Sequence, residues 1–173
     1  MKFYSGFSLK NDISFFEKYL NKSDYSVAGF SYGAIKAFKY VLSELERGNR
    51  VDTLQLFSPA FFQTKSEKFK KMQLIGFKRD SKSYIQKFTA SCFSPYSPSA
   101  LEYAEATYAD LEELLYYEWN ISTLQELENL GVKIEIYLGA SDSVIDLMNA
   151  KDFFIDVGTS TYIKAANHFL QTK

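Results

Sequence analysis

Apolar residues fall along the chain in two alternating rhythms, short unbroken runs of strand length and longer stretches with a helical period. Residues 2–7 are rich in aromatics and break at Gly6, which predicts a short buried strand opening into a loop. Asn11 then predicts the cap of a helix of about ten residues, with Ile13, Phe16 and Leu20 along one face. Residues 25–30 form a second apolar run that leads straight into Ser31. The next helix is the clearest, because Ala34, Ala37, Phe38, Val41, Leu42 and Leu45 keep the helical period and Gly48 sits just past its end. A strand over 51–57 stops at Ser58-Pro59. Further on, Ser122-Thr123-Leu124-Gln125 has the capping-box pattern, its helix ends at Gly131, and strands follow over 132–138 and within 160–165.

Strands alternating with helices predict an α/β fold with a mostly parallel sheet of about five strands, because parallel neighbours need a crossover and a helix supplies it. The middle of the chain breaks that rhythm. From Thr64 to about Trp119 there is no good strand but three helical segments. Thr64 with Glu67 opens one, a second follows Ser81, and Ser99 with Glu102 opens a third that carries Leu101, Ala104, Tyr108, Leu111 and Leu115 on one stripe. The expected organisation is a core made of 1–60 and 120–173, with a helical lid over 61–119 inserted across one end of the sheet.

Composition narrows the chemistry by exclusion. A chain of 173 residues fits one domain that buries roughly 70% of its unfolded surface. One cysteine, Cys92, excludes an internal disulfide, and with a single histidine it leaves too few soft ligands for the usual zinc sites. No metal or other cofactor is expected. The N-terminal apolar run breaks at Ser5-Gly6, too early for a signal core, and no stretch approaches the ~20 apolar residues of a membrane helix. A cytoplasmic protein without a membrane partner is the expectation.

The formal charge of −1 conceals a strong local asymmetry. Between Phe61 and Ala90, Lys65, Lys68, Lys70, Lys71, Lys78, Arg79, Lys82 and Lys87 face only Glu67 and Asp80, a net +6. Residues 99–119 hold Glu102, Glu105, Asp110, Glu112, Glu113 and Glu118 with no Lys or Arg, a net −6. Two readings are open: solvated helix faces that attract each other, or a basic docking surface for an acidic macromolecule. Nucleic acid is not expected, since no recognised nucleic-acid-binding signature accompanies the patch.

Gly29-Phe30-Ser31-Tyr32-Gly33 is a G-x-S-x-G motif lying between an apolar strand and a strongly periodic helix, the context that presents a serine on a tight, strained turn. A serine hydroxyl needs a base, and the only histidine is His168, after the last expected strand. The acid that orients the imidazole belongs on the loop after the preceding strand, where Asp142 stands first and Asp146 follows one helical turn later. Backbone N–H groups of Tyr32 and of Phe7, in the loop after the first strand, are the expected oxyanion hole.

With Ser first and His last, the chain resembles the α/β-hydrolase superfamily over nearly its full length, and the expected fold is a compact member of it. More narrowly it resembles the short pimeloyl-[acyl-carrier protein] methyl ester esterases of biotin biosynthesis, the BioV type. The segments carrying this resemblance are Phe3-Tyr4-Ser5-Gly6-Phe7, residues 24–37 around the serine, and Leu56-Phe57-Ser58-Pro59. It implies hydrolysis of the methyl ester of pimeloyl-[acyl-carrier protein], with the acidic carrier docking on Lys65, Lys68, Lys70, Lys71, Lys78, Arg79 and Lys82. A general short-chain carboxylesterase or thioesterase is the alternative. Compared with a full α/β-hydrolase, the leading strands and one intermediate strand are missing, since a single helical segment separates the first strand from the serine strand.

Overall fold

The computed structural model describes residues 1–173. Five strands, β1 (Lys2–Tyr4), β2 (Ser26–Phe30), β3 (Thr53–Phe57), β4 (Lys133–Gly139) and β5 (Thr159–Ile163), form one sheet in sequential order, and every neighbouring pair is parallel. The helices are α1 (Tyr32–Glu46), α2 (Glu67–Arg79), α3 (Ser81–Phe93), α4 (Tyr108–Tyr116), α5 (Ile121–Asn129) and α6 (Leu147–Phe154). β2 and β3 are buried at every position, as central strands of a parallel sheet covered on both faces should be.

Alternation along the strands sorts the core into two layers. Val27, Leu54, Leu56, Ile134 and Ile136 join α1, α5 and α6 in the larger layer. Ala28, Phe30 and Phe57 point the other way, onto Phe16, Phe93, Phe169 and Leu170. The segment between β1 and β2 therefore crosses on the face opposite α1, although both links step in the same direction along the sheet. Two such crossovers have opposite hands. The uncommon hand falls to the short β1–β2 link, since α1, α5 and α6 all occupy the other face.

That link departs from expectation. In place of a ten-residue helix there is a five-residue 3-10 turn, Asp12–Phe16, and Asn11 makes no capping bond. The Asn11 side chain is occupied elsewhere, accepting from the Glu102 N–H at 3.0 Å and donating to the Glu102 carboxylate at 3.2 Å. The same pairing corrects the third helix expected between Thr64 and Trp119. Lys10 N–H donates to the Glu102 carbonyl, Ala104 N–H donates to the Ser8 carbonyl, and Leu9 bridges Tyr103 in antiparallel fashion. A backbone pinned this way cannot also be helical, so α4 starts at Tyr108 under a Thr107–Asp110 capping box rather than at Ser99. α2 is capped by Ser66, not Thr64. Likewise α5 is capped by Asn120 rather than Ser122, because Trp119 is fixed just ahead of it by Nε1–H to the Ala60 carbonyl at 2.8 Å.

Candidate active site

The turn after β2 is built by two close backbone approaches. A Cβ on Gly29 would lie 2.2 Å from the Gly33 carbonyl oxygen, and one on Gly33 would lie 2.0 Å from the Tyr4 carbonyl oxygen, so only glycine lets strand, turn and helix meet. Ser31 between them has φ 52°, a conformation that costs about 1–3 kcal/mol and persists because its surroundings fix it. Its N–H donates to the Phe57 carbonyl and its carbonyl accepts from Ala34 and Ala60. This holds the side chain at the C-terminal edge of the sheet, at the start of α1.

The two other polar side chains arrive from neighbouring edges. Asp142 follows β4 by three residues, and His168 lies on the loop after β5. His168 Nε2 is 2.9 Å from Ser31 Oγ, and His168 Nδ1 is 2.6 Å from Asp142 Oδ2. The remaining oxygen of Asp142 accepts the Val144 N–H at 2.8 Å, which fixes the carboxylate plane. All three residues are buried, Ser31 at 2% exposure and His168 at 1%. Asp146 lies away from this chain of hydrogen bonds; it binds Asn149 and Thr64 and pairs with Lys65.

The histidine loop is anchored by groups with no counterpart in any sequence motif. Asn167, fully buried, donates to the Phe93 carbonyl at 2.8 Å and accepts from the Gln171 N–H at 3.0 Å. Phe169 packs on Phe93, Phe15 and Phe30 with ring centroids 4.5–4.9 Å apart. Phe30 in turn touches the His168 ring at 5.0 Å.

Phe7 follows the β1 loop, and its N–H makes no hydrogen bond within the chain. Tyr32, as the first residue of α1, has an N–H with no intrahelical acceptor. The Tyr32 side chain has a separate task that the motif does not signal. Its hydroxyl donates to Glu113 and lies 3.1 Å from Asp110, joining α1 to α4. Burial, and then Glu113, push this phenol far above its ordinary range. Lys39 pairs with Glu113 and Lys36 lies 3.9 Å from Asp110.

The acidic stripe of α4 is thus partly neutralised by α1, not by the basic segment of α2 and α3. Among the basic residues expected to dock a partner, Lys68, Lys71, Lys78, Arg79 and Lys82 are exposed and pair with no carboxylate. Lys70 is a correction. It is only 5% exposed, with its stem packed inside and its ammonium over the Tyr116 ring at 4.9 Å, so it does not belong to an open surface. Lys65 is half-buried and faces Asp146 at 3.9 Å.

No family model matches the sequence, and no curated protein matches it. Its fold is nevertheless found among solved structures. An esterase from Exiguobacterium antarcticum superposes with a TM-score of 0.58 at 18% identity, covering 80% of this chain and 57% of the esterase. Est816, described as an N-acyl homoserine lactone degrading enzyme, gives 0.62 at 12% identity over 98% of this chain and 86% of its own. A bromoperoxidase from Bacillus anthracis gives 0.61 at 13% identity over 83% and 60%. The chain therefore has the α/β-hydrolase fold, and it spans under two thirds of the esterase and of the bromoperoxidase.

Proposed function

We propose that the chain is a serine carboxylesterase that hydrolyses the methyl ester of pimeloyl-[acyl-carrier protein]. The observation carrying the esterase reading is the hydrogen-bonded chain from Ser31 Oγ through His168 to Asp142. In this reading Ser31 Oγ attacks the ester carbonyl while His168 Nε2 takes its proton. Asp142 holds the imidazole so that Nδ1 carries a hydrogen, and stabilises the imidazolium. The N–H groups of Phe7 and Tyr32 receive the oxyanion of the tetrahedral intermediate. His168 returns the proton to the departing methoxide, giving methanol and an acyl-serine, and the same base then activates water to release the free acid.

The carrier-bound substrate draws support from the lid. Exposed Lys68, Lys71, Lys78, Arg79 and Lys82 suit an acidic carrier, with Met72 and Ile75, 57% and 60% exposed, among them on α2. Between α2 and α3 runs a cleft of about 690 Å³ whose lining includes Met72, Gly76, Arg79 and Lys87. It shares Gln73, Tyr84, Phe88 and Ser91 with a second cavity of about 200 Å³ that reaches Leu115 and Val144, two residues beyond Asp142. The inner cavity, lined by Phe62, Phe69, Phe88, Leu115 and Val144, suits an apolar acyl arm, and the mostly polar outer cleft beside Arg79 and Lys87 suits an anionic group behind it.

The direct test is incubation with pimeloyl-carrier-protein methyl ester. Free acid and methanol should appear, and Ser31→Ala should abolish both; an unchanged rate in that variant rules the reading out. The structural likeness to an esterase and to a lactone-degrading enzyme favours a second reading, a general carboxylesterase indifferent to the carrier. Charge reversal at Lys71, Lys78 and Arg79 separates the two. Carrier docking predicts a salt-sensitive loss confined to carrier-bound substrate, whereas a general esterase loses nothing on either substrate.

A further inference from the structure

We propose that Asp12 is a positioning residue that holds the Gly6–Phe7 segment in the conformation an ester oxyanion requires. The inference rests on the esterase reading and extends it to a residue outside the Ser-His-Asp chain. Asp12 is fully buried in the 3-10 turn, and its Oδ2 accepts the Gly6 N–H at 2.9 Å. Its Oδ1 is buried and makes no hydrogen bond of good geometry, although the Ser5 hydroxyl favours the carboxylate's charge. No cation lies within ion-pair distance of it. Burial pushes this carboxyl above its ordinary range, against the hydrogen bonds that favour its charge.

A buried acid with one oxygen unpaired is a poor choice for stability, because a buried polar oxygen without a partner has lost its hydration with nothing in return. Its retention makes sense through what it holds. The Asp12 bond closes the loop across six residues, so the peptide N–H just before Phe7 is turned inward. The next N–H, on Phe7, stays free of any partner in the chain. From the opposite side Ser8 is fixed by Ala104: its hydroxyl donates to the Ala104 carbonyl at 2.7 Å and its own carbonyl accepts the Ala104 N–H at 2.9 Å. With Ser8 clamped from the lid and Gly6 clamped by Asp12, the Phe7 peptide has little freedom left to turn its N–H away. An oxyanion donor must be fixed before charge develops, since reorganisation during the reaction would forfeit its benefit.

The test compares Asp12→Ala with Asp12→Asn on a small activated ester, 4-nitrophenyl acetate, which needs no carrier. Asp12→Ala should lower kcat by about ten- to a hundredfold with KM within about twofold, less than the ~10²–10³-fold loss on removing an oxyanion donor outright. Asp12→Asn, which keeps an acceptor for Gly6 N–H, should restore kcat to within about threefold of the parent. Circular dichroism identifies a variant that has not folded, and the Asn variant then carries the test alone. The proposal is overturned if folded Asp12→Ala keeps its kcat, or if Asn and Ala lose activity equally. Absence of any esterase activity in the unaltered protein would instead count against the esterase reading.

Discussion

At the scale of single residues, the account assigns different work to carboxylates that look alike in sequence. Asp142 and Asp146 lie four positions apart, yet only Asp142 meets the imidazole. Asp142→Asn should therefore lower kcat by about 10⁴-fold through the wrong histidine tautomer. Asp146→Asn should change it by no more than about twofold, as steady-state kinetics on one ester would read. Asp12 differs again, because burial raises its pKa from 3.8. Between that unfolded value and the higher folded one, the folded state holds more protons than the unfolded, so Asp12 lowers stability as pH rises through this window. Asp12→Asn should flatten that part of the decline in urea midpoint above about pH 4. Asp110, Glu113, Glu135 and Asp146 are held below their ordinary range and contribute the opposite slope in both proteins, so they cancel in the comparison.

At the scale of elements, the C-terminal segment is a structural wedge as much as a carrier of histidine. Phe169→Ala should cost about 3–5 kcal/mol, with kcat falling as the His168 loop loosens. Chemical denaturation and turnover of one sample would show both losses together. The elements most legible in the sequence were those set by their own periodicity and flanking glycines. α1 and the strands around it stand where the apolar pattern and Gly48 place them, and the serine turn follows from Gly29 and Gly33. Elements whose form depends on distant partners were not legible. The apolar spacing of Ile13, Phe16 and Leu20 fits a helix, but Asn11 binds Glu102 across 91 positions and Asp12 turns inward to Gly6. Ser99 and Glu102 fit a capping box, but pairing of 102–104 with 8–10 claims the backbone from Glu102 onward. For the same reason Asp12 and Asn167 carry no local mark of the roles their burial reveals, while Ser31, Asp142 and His168 could be placed by order and loop position.

At the scale of the molecule, the fold puts every group of the candidate site on one edge of a parallel sheet. β1 supplies the Phe7 loop, β2 the serine, β4 the acid and β5 the histidine, and residues 102–104 fasten the loop from outside. The larger face of the sheet carries three helices, whereas the other is closed by a short turn, the end of α3 and the C-terminal tail. Residues 167–171 serve both as cover for that face and as anchor of the histidine loop. The charge asymmetry resolves in a similar way, with Asp110 and Glu113 of α4 drawn toward α1 and Lys68, Lys71 and Lys78 of α2 left to solvent while Lys70 is buried. The proposed activity depends on the contact between His168 Nε2 and Ser31 Oγ, 2.9 Å apart. Labelling with a fluorophosphonate, followed by peptide mass spectrometry, reads the activation of Ser31 directly. The unaltered protein should carry the adduct on Ser31 and His168→Ala should remain unlabelled; an unlabelled Ser31, or equal labelling without the histidine, would contradict the account.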